Sequence, residues 1–291
     1  MDVSIIIVNY NTGKLVLDCL ESVYALTRDV EFEIIVFDNN STDSSVDIVK
    51  QAFPLVKVIA SNINHGFGRG NNEAFKYAIG RNVFLLNPDT ILVKNSVYAL
   101  SSFLDNNKLC GIVGANLLNE DFSHQPSFSH YFPSLKVELL KLFGITFLLN
   151  LSTFNDTKNS ISVSRVVGAA LMIRREIIEN IGFFDEKFFM YAEEDELCYR
   201  VKKAKYKIFN IPNSEILHLD GKSFKFEEER QKRRMEGLRT FYRVCYSKSY
   251  CKLLMRVEFL YIKSRILFYN VFPNKSKLKY FEFLNKNRWM I

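Results

Sequence analysis

Glycine and proline are scarce in this chain, 12 and 6 among 291 residues, which excludes collagen-like repeats and long flexible linkers and leaves most of the sequence for regular elements. Cysteine is sparse and carries no pattern. The five thiols (Cys19, Cys110, Cys198, Cys245 and Cys251) are odd in number and contain no C-x-x-C pair, which argues for buried thiols in a reducing cytosol and against a disulfide framework or a zinc knuckle. Long apolar runs are missing too. Leu139 to Leu151 comes nearest, but Lys141 interrupts it and it falls short of the ~18 residues a spanning helix requires. No basic segment precedes the first apolar run, Val3 to Val8, and Asn9 ends it, so it reads as a buried strand and not as a signal peptide. What remains is an ordinary globular composition, 48% hydrophobic and 24% charged, enough for one large domain with an appendage.

Positive charge is concentrated at one end. Of 39 basic and 32 acidic residues, Lys222 to Arg288 hold 18 and 6, leaving 21 and 26 for residues 1–221, so the two parts carry +12 and −5. The C-terminal part also holds 15 of the 41 aromatic residues, among them Phe241, Tyr242, Tyr246, Phe259, Tyr261, Phe268, Tyr269 and Trp289. A basic, aromatic-rich extension suits an anionic membrane surface first, a helical cap on the body second, and nucleic acid least. On a helix over 252–272, Lys252, Arg256 and Lys263 share a face, with Glu258 and Arg265 nearly opposite.

The body alternates short apolar runs with helical patterns. Strands are predicted at 3–10, 33–38, about 56–60 and 82–87. Helices are predicted from Thr12, after Ser41-Thr42-Asp43 and over about 68–80. Such alternation specifies an α/β fold with a mainly parallel sheet and helices on both faces. Beyond residue 110 the pattern loosens: a strand near 110–115, a polar stretch at 118–134, a helix near 135–150, a strand at 165–174, a helix near 194–204 and a strand near 207–211. The expected division is 1–221 for the α/β domain and 222–291 for a basic, aromatic-rich helical extension.

In an open parallel sheet, ligands gather at the carboxyl ends of the strands. Three apolar runs end in polar clusters: Asn9-Tyr10-Asn11, Asp38-Asn39-Asn40-Ser41-Thr42-Asp43 and Asn87-Pro88-Asp89. Tyr10 could stack on a flat ring and Asp38 could bond a ribose or base, although Asp38 and Asp43 also suit turns and helix caps. His65-Gly66-Phe67-Gly68-Arg69-Gly70-Asn71-Asn72 lacks the third glycine of a dinucleotide fingerprint and follows the third strand, which disfavours a dehydrogenase. Its glycines still permit close backbone approach, and Arg69 could meet phosphate. Asp89 alone at a strand end is how Mg²⁺ is often held when substrate phosphates complete the shell. Glu193-Glu194-Asp195-Glu196 repel one another, which calls for a cation, a helix N-terminus or a waiting base. His218 follows an apolar pair and suits either a core position or a site.

With these residues assembled, the chain resembles the family 2 glycosyltransferases of the GT-A fold, and within them the bacterial rhamnosyltransferase-like group acting on cell-surface polysaccharides. The matching motifs are SIIIVNYN (4–11), DNNSTD (38–43), NHGFGRGNN (64–72), Asn87-Pro88-Asp89, GFFDEKFFMYAEEDELCYR (182–200) and HLDGKS (218–223), in the family's order. The resemblance implies that Tyr10 and Asp38 contact the nucleotide base, and that Asn72 and Arg69 shape the nucleotide-sugar pocket. It makes Asp89 the last acidic residue of the metal-binding D-x-D element, with Asn87 in place of its first aspartate and His218 as a further metal or diphosphate contact. Glu194 falls on the catalytic base of the family's E-D pair, where aspartate is usual, and a one-residue slip would promote Asp195.

The implied activity is inverting, metal-dependent transfer of one sugar from a UDP- or dTDP-linked donor to a hydroxyl of a glycan or lipid-linked acceptor. Mn²⁺ or Mg²⁺ would be the cofactor. The expected location is the inner face of the cytoplasmic membrane, reached peripherally through the extension, with no nucleic-acid partner. A carboxyl near its reference value of about 4.3 would be ionised at neutral pH and ready to take a proton. A processive synthase is disfavoured because Gln231-Lys232-Arg233-Arg234-Met235 lacks the tryptophan of Q-x-x-R-W. A nucleotidyltransferase is disfavoured by the absence of a glycine-rich basic loop after the first strand. A non-catalytic nucleotide-sugar or lipid-binding protein that keeps the fold is the reading from a different class.

Overall fold

The computed structural model describes residues 1–219 and 227–288. Its N-terminal half runs β1 (Val3–Asn9), α1 (Gly13–Leu26), β2 (Phe32–Asp38), α2 (Ser45–Ala52), β3 (Lys57–Ala60), α3 (Gly66–Phe75), β4 (Asn82–Leu86), β5 (Thr90–Leu92), α4 (Ser96–Asn106) and β6 (Cys110–Leu118). There follow β7 (Phe128–Ser129), α5 (Leu135–Leu142), β8 (Ile161–Val163), β9 (Arg165–Val166), β10 (Ala170–Arg174), α6 (Arg175–Ile181), α7 (Glu193–Lys203) and β11 (Lys207–His218). Three helices end the chain: α8 (Glu227–Cys245), α9 (Lys248–Val271) and α10 (Lys275–Asn287).

The main sheet has the order β3-β2-β1-β4-β10-β6-β11-β5, with β8 added on β11. β3, β2, β1 and β4 are mutually parallel, and β6 and β11 share their direction, whereas β10, β5 and β8 run against it. The sheet is therefore mixed, and the predicted strand at 165–174 is split at Val167-Gly168-Ala169 into β9 and β10.

Burial on both faces explains the unbroken apolar runs. Successive side chains of β1 point to opposite sides. Ile5 and Ile7 pack with Val16, Leu20, Leu100 and Leu104 under α1 and α4, while Ile6 and Val8 pack with Ala74, Ile177, Leu197 and Val201 under α3, α6 and α7. A third core joins the C-terminal helices to the body: Phe188 is buried with Phe241, Tyr242, Cys251 and Leu254, bordered by Phe132 and Tyr199. Hydrogen bonds reinforce this seam. The Tyr246 hydroxyl donates to the Pro133 carbonyl (2.6 Å), and the Tyr250 hydroxyl accepts the Leu135 N–H (2.9 Å). Capping of the body is thus observed for α8 and the start of α9. The expected boundary at residue 221 and most of the HLDGKS motif lie outside the described residues.

Candidate active site

The rim above β1 and β2 is built by side chains that hold each other. Asn9 and Asp38 are register partners on adjacent strands, and both are buried. The Asn9 amide donates to Asp38 Oδ1 (2.7 Å), and Asp38 Oδ2 accepts the Ser41 N–H (2.9 Å). Asp38 therefore fixes the loop after β2 through one lone pair on each oxygen. Asp43 accepts the Ser45 N–H (3.1 Å) and the Gly13 N–H (3.2 Å), tying the starts of α1 and α2 together. Tyr10 projects from this rim, 48% exposed, with its ring available for stacking. Asn39 links the rim to the glycine-rich turn: its Oδ1 accepts the His65 N–H (2.8 Å) and its amide donates to the Gly66 carbonyl (2.9 Å).

The turn and α3 grip the segment that leads into α7. Asn72 uses both amide atoms on the backbone of Phe184, donating to its carbonyl (2.9 Å) and accepting its N–H (3.0 Å). The Arg69 guanidinium donates to the Glu186 carbonyl (3.0 Å) and faces the Glu186 carboxylate (3.6 Å). Both residues thus hold the backbone of residues 184–186. Further along, the Phe189 carbonyl accepts the Phe67 N–H (2.9 Å), and Gly66, with φ +77°, lies so close to that carbonyl that any Cβ would overlap it. Gly237 of α8 lies equally close to the Tyr191 carbonyl. Between these two glycines Tyr191 and Ala192 adopt left-handed backbone (φ 71° and 68°), an uncommon state for residues with a Cβ, and α7 begins at the next residue.

Asn87 and Asp89 close β4. The Asn87 N–H donates to the Ala169 carbonyl (2.9 Å), and Asn87 Oδ1 is buried with no hydrogen-bond partner among the described residues. Asp89 is buried beside His218, whose Nε2 lies 3.7 Å from Asp89 Oδ1. Gln125 sets the histidine tautomer. Its amide nitrogen donates to Asn119 Oδ1 and to the His218 carbonyl (both 2.7 Å), so its oxygen is what faces His218 Nδ1 at 3.1 Å. Nδ1 then carries a proton, and Nε2 is the ring nitrogen turned towards the carboxylate. A carboxylate oxygen and an imidazole nitrogen facing each other are donor types that would suit a divalent cation whose remaining ligands come from diphosphate and water. Among the described residues no group of three or more His, Cys, Asp or Glu side chains could hold a metal.

The four acidic residues opening α7 separate cleanly. Asp195 is paired with Arg165 (2.6 and 2.7 Å) and Glu196 with Arg200 (2.7 and 2.9 Å). Glu193 is buried, and its Oε2 has no hydrogen-bond partner among the described residues; burial first, and then the Glu194 charge, push its carboxyl well above the usual range. Glu194 is partly exposed, and burial followed by the Asp195 charge raises it from 4.5 to about 7, against the lowering pull of Arg165 and nearby backbone N–H groups. The expectation of a fully ionised carboxylate at neutral pH is thereby corrected. Gly168 lies against Glu194, where an added Cβ would stand 3.5–3.6 Å from its carbons. One residue on, Ala169 holds Asn87, so the bend between β9 and β10 carries the acid of α7 on one side and the end of β4 on the other.

The glycosyl transferase family 2 signature matches residues 4–182, more than half of the chain. The chain belongs to this family. Among similar proteins, the hexosyltransferase Agl10 of low-salt glycan biosynthesis in Haloferax volcanii is 28% identical over 224 residues, covering 75% of this chain and 67% of its own length. The N-acetylglucosaminyl-diphospho-decaprenol L-rhamnosyltransferase of Mycobacterium tuberculosis is 26% identical, covering 74% and 75%. Rhamnosyltransferase WbbL of Escherichia coli K12 is 25% identical, covering 76% and 86%. In fold, the chain resembles the mannosyltransferase PcManGT of Pyrobaculum calidifontis, solved with GDP-Man and Mn²⁺, with a TM-score of 0.63 and 14% identity over 98% of this chain and 83% of that one. The fold is GT-A, as the motifs implied.

Several residues that build this site carried no signal of their own in the sequence. They are Gln125, Arg165, Gly168 and Gly237; Gln125 acts on His218, 93 residues away, and Arg165 on Asp195, 30 residues away. A cleft of about 440 Å³ lined by Phe183, Asp185, Glu196, Arg200 and Cys245 includes none of the expected site residues, and its one strong acid–base pair, Glu196–Arg200, is already matched.

Proposed function

We propose that this family 2 glycosyltransferase is an inverting enzyme that moves one sugar from a nucleotide-sugar donor to a hydroxyl of a glycan or lipid-linked acceptor in bacterial surface-polysaccharide assembly. The observation that carries the reading is the sorting of the α7 acids. Arginines hold Asp195 and Glu196, Glu193 is buried, and Glu194 alone combines partial exposure with a value of about 7. That value is close to ideal for a general base at neutral pH, since enough carboxylate is present and it still binds a proton firmly. Glu194 takes the proton of the acceptor hydroxyl as its oxygen attacks the anomeric carbon from the face opposite the leaving nucleoside diphosphate. A single displacement inverts configuration.

On the donor side, Tyr10 stacks on the base, and Asp38, held by Asn9 and Ser41, offers its remaining lone pairs to base or ribose. Arg69 and Asn72 keep the 184–186 backbone in place beneath the donor, and Asn87 presents its unbonded oxygen at the end of β4. Asp89 and His218 are the residues that would hold Mn²⁺ or Mg²⁺, which when bound supplies positive charge against the leaving diphosphate. A UDP- or dTDP-linked sugar fits the relatives' rhamnosyl and hexosyl chemistry. Acceptor selection is assigned to residues 115–165, and work at the inner face of the cytoplasmic membrane follows from a lipid-linked acceptor. No helix among the described residues is long and apolar enough to cross a membrane.

Incubation with a panel of nucleotide sugars and Mn²⁺ tests the reading. Release of nucleoside diphosphate that Glu194→Gln abolishes, with donor binding retained, is expected. A protein that binds nucleotide sugars without ever turning them over would instead be a binding module.

A further inference from the structure

The longest helix among the described residues, α9, presents an apolar outward face. Leu253, Leu260, Leu267 and Val271 of α9 are 47%, 54%, 69% and 63% exposed. They recur at i, i+7, i+14 and i+18, so they form one stripe about 27 Å long at 1.5 Å per residue. The opposite side and one flank of α9 are packed, through Cys251 and Ile262 and through Leu254 and Val257, and the stripe is left outside this packing. Lys252, Arg256 and Lys263 are exposed along its edge, sharing a neighbouring face.

On the other side of that cationic row lies a cavity of about 280 Å³. Arg239, Lys252, Arg256 and Arg288 line it over Met255 and Phe259. The one carboxylate of α9, Glu258, is matched with buried Arg239, which leaves the exposed Lys252 and Arg256 beside an apolar floor. Between Glu258 and Glu282 the sequence holds Lys263, Arg265, Lys275, Lys277 and Lys279 and no acid.

We infer that this face of α9 docks on an anionic phospholipid bilayer, with the leucine and valine stripe entering the acyl boundary and the adjoining cavity receiving a lipid phosphate. A second copy of the chain is a poor occupant, because pairing two such faces brings the rows of Lys252, Arg256 and Lys263 together, and the one carboxylate of α9, Glu258, is already paired with Arg239. A neutral apolar partner leaves the row unmatched. An anionic interface satisfies both halves, since alkyl side chains gain from leaving water while each nearby lysine or arginine gains from the surface potential. The inference deepens the proposed function, giving the enzyme a way to meet a lipid-linked acceptor, but the docking itself does not depend on transfer.

Co-sedimentation of the full chain with phosphatidylcholine vesicles, with and without phosphatidylglycerol, tests it. Binding is expected only with phosphatidylglycerol and is expected to weaken with salt. Lys252→Glu/Arg256→Glu and Leu260→Ser/Leu267→Ser are each expected to lower partitioning about tenfold or more. Melting temperature and donor hydrolysis without vesicles should stay at wild-type values. Equal binding to neutral vesicles, unchanged partitioning in either double variant, or a wild-type dimer that Leu260→Ser/Leu267→Ser converts to monomer would each overturn the inference. Because hydrolysis is read without lipid, loss of docking and loss of catalysis are separate results.

Discussion

Replacing Glu194 by glutamine should remove transfer and stabilise the protein at the same time. In the folded chain this carboxyl is raised from 4.5 to about 7, by burial first and then by the Asp195 charge. Ionising it therefore costs more in the folded state than in the unfolded state. Its contribution to stability is greatest below about pH 4.5, falls as pH rises, and is fully lost once pH passes about 7. At 1.36 kcal/mol per pH unit the full difference is ~3 kcal/mol. Partial exposure lets solvent reduce this, and ~1–2 kcal/mol is the working figure for pH 8. Glutamine keeps the shape and never ionises, so the variant should melt higher by roughly 2–5 °C at pH 8 and by close to nothing at pH 4.5. Thermal unfolding at the two pH values, run beside a transfer assay, reads both effects. A Glu194→Gln protein that melts with the wild type at pH 8, or that is stabilised equally at pH 4.5, would falsify the account of a strained base, and retained transfer would remove Glu194 from the chemistry. In the wild type, kcat should climb up to about tenfold per pH unit below pH 7 and level off above it.

Three further outcomes are expected. Asp89→Ala should weaken donor binding in the presence of Mn²⁺ and leave metal-free binding unchanged, as isothermal titration with and without chelator would show. Gly237→Ala should push the Tyr191 carbonyl aside and carry the start of α7 with it; a displacement of about 1 Å at a reacting group costs ~100-fold, so kcat should fall by that order while donor affinity holds. A kcat within twofold of wild type would show that α8 does not brace the base. Arg165→Met leaves buried Asp195 without its cation, so a loss of ~3 kcal/mol in denaturant unfolding is expected. The pH profile should also move to higher pH, because Arg165 is among the groups that lower Glu194.

Much of the sheet could be read in advance because it is buried on both faces. The stretches 5–8, 34–37 and 83–86 are wholly apolar, and each is followed at once by a residue of the polar cluster that forms the rim. The direction of β10 was not legible: Ala170 to Ile173 are buried whether their neighbours run parallel or antiparallel, so pairing leaves no mark on composition. The helix predicted at 135–150 stops at Leu142, where Gly144 takes φ +71°. Among site residues, the end-of-strand positions Asp38 and Asp89 follow from topology, whereas the roles of Asn72 and Arg69 depend on a segment more than a hundred residues later, to which only the folded chain brings them. The charge of the C-terminal part suggested an appendage. Its aromatic residues told the other half, since Phe241 and Tyr242 are among the most completely buried side chains in the molecule.

The pinching of residues 189–191 between Gly66 and Gly237 ties catalysis to a helix that follows the family signature, which stops at residue 182. One jaw belongs to the glycine-rich turn and the other to the C-terminal helices, so a shift of either displaces the backbone that leads into α7. Severing the polypeptide ahead of α8 would strip the cover from Phe188 and let the backbone at Tyr191 relax out of its left-handed turn. On the proposed function, an enzyme trimmed to its recognisable half would keep the strand ends assigned to the donor and lose the carboxyl assigned to the proton.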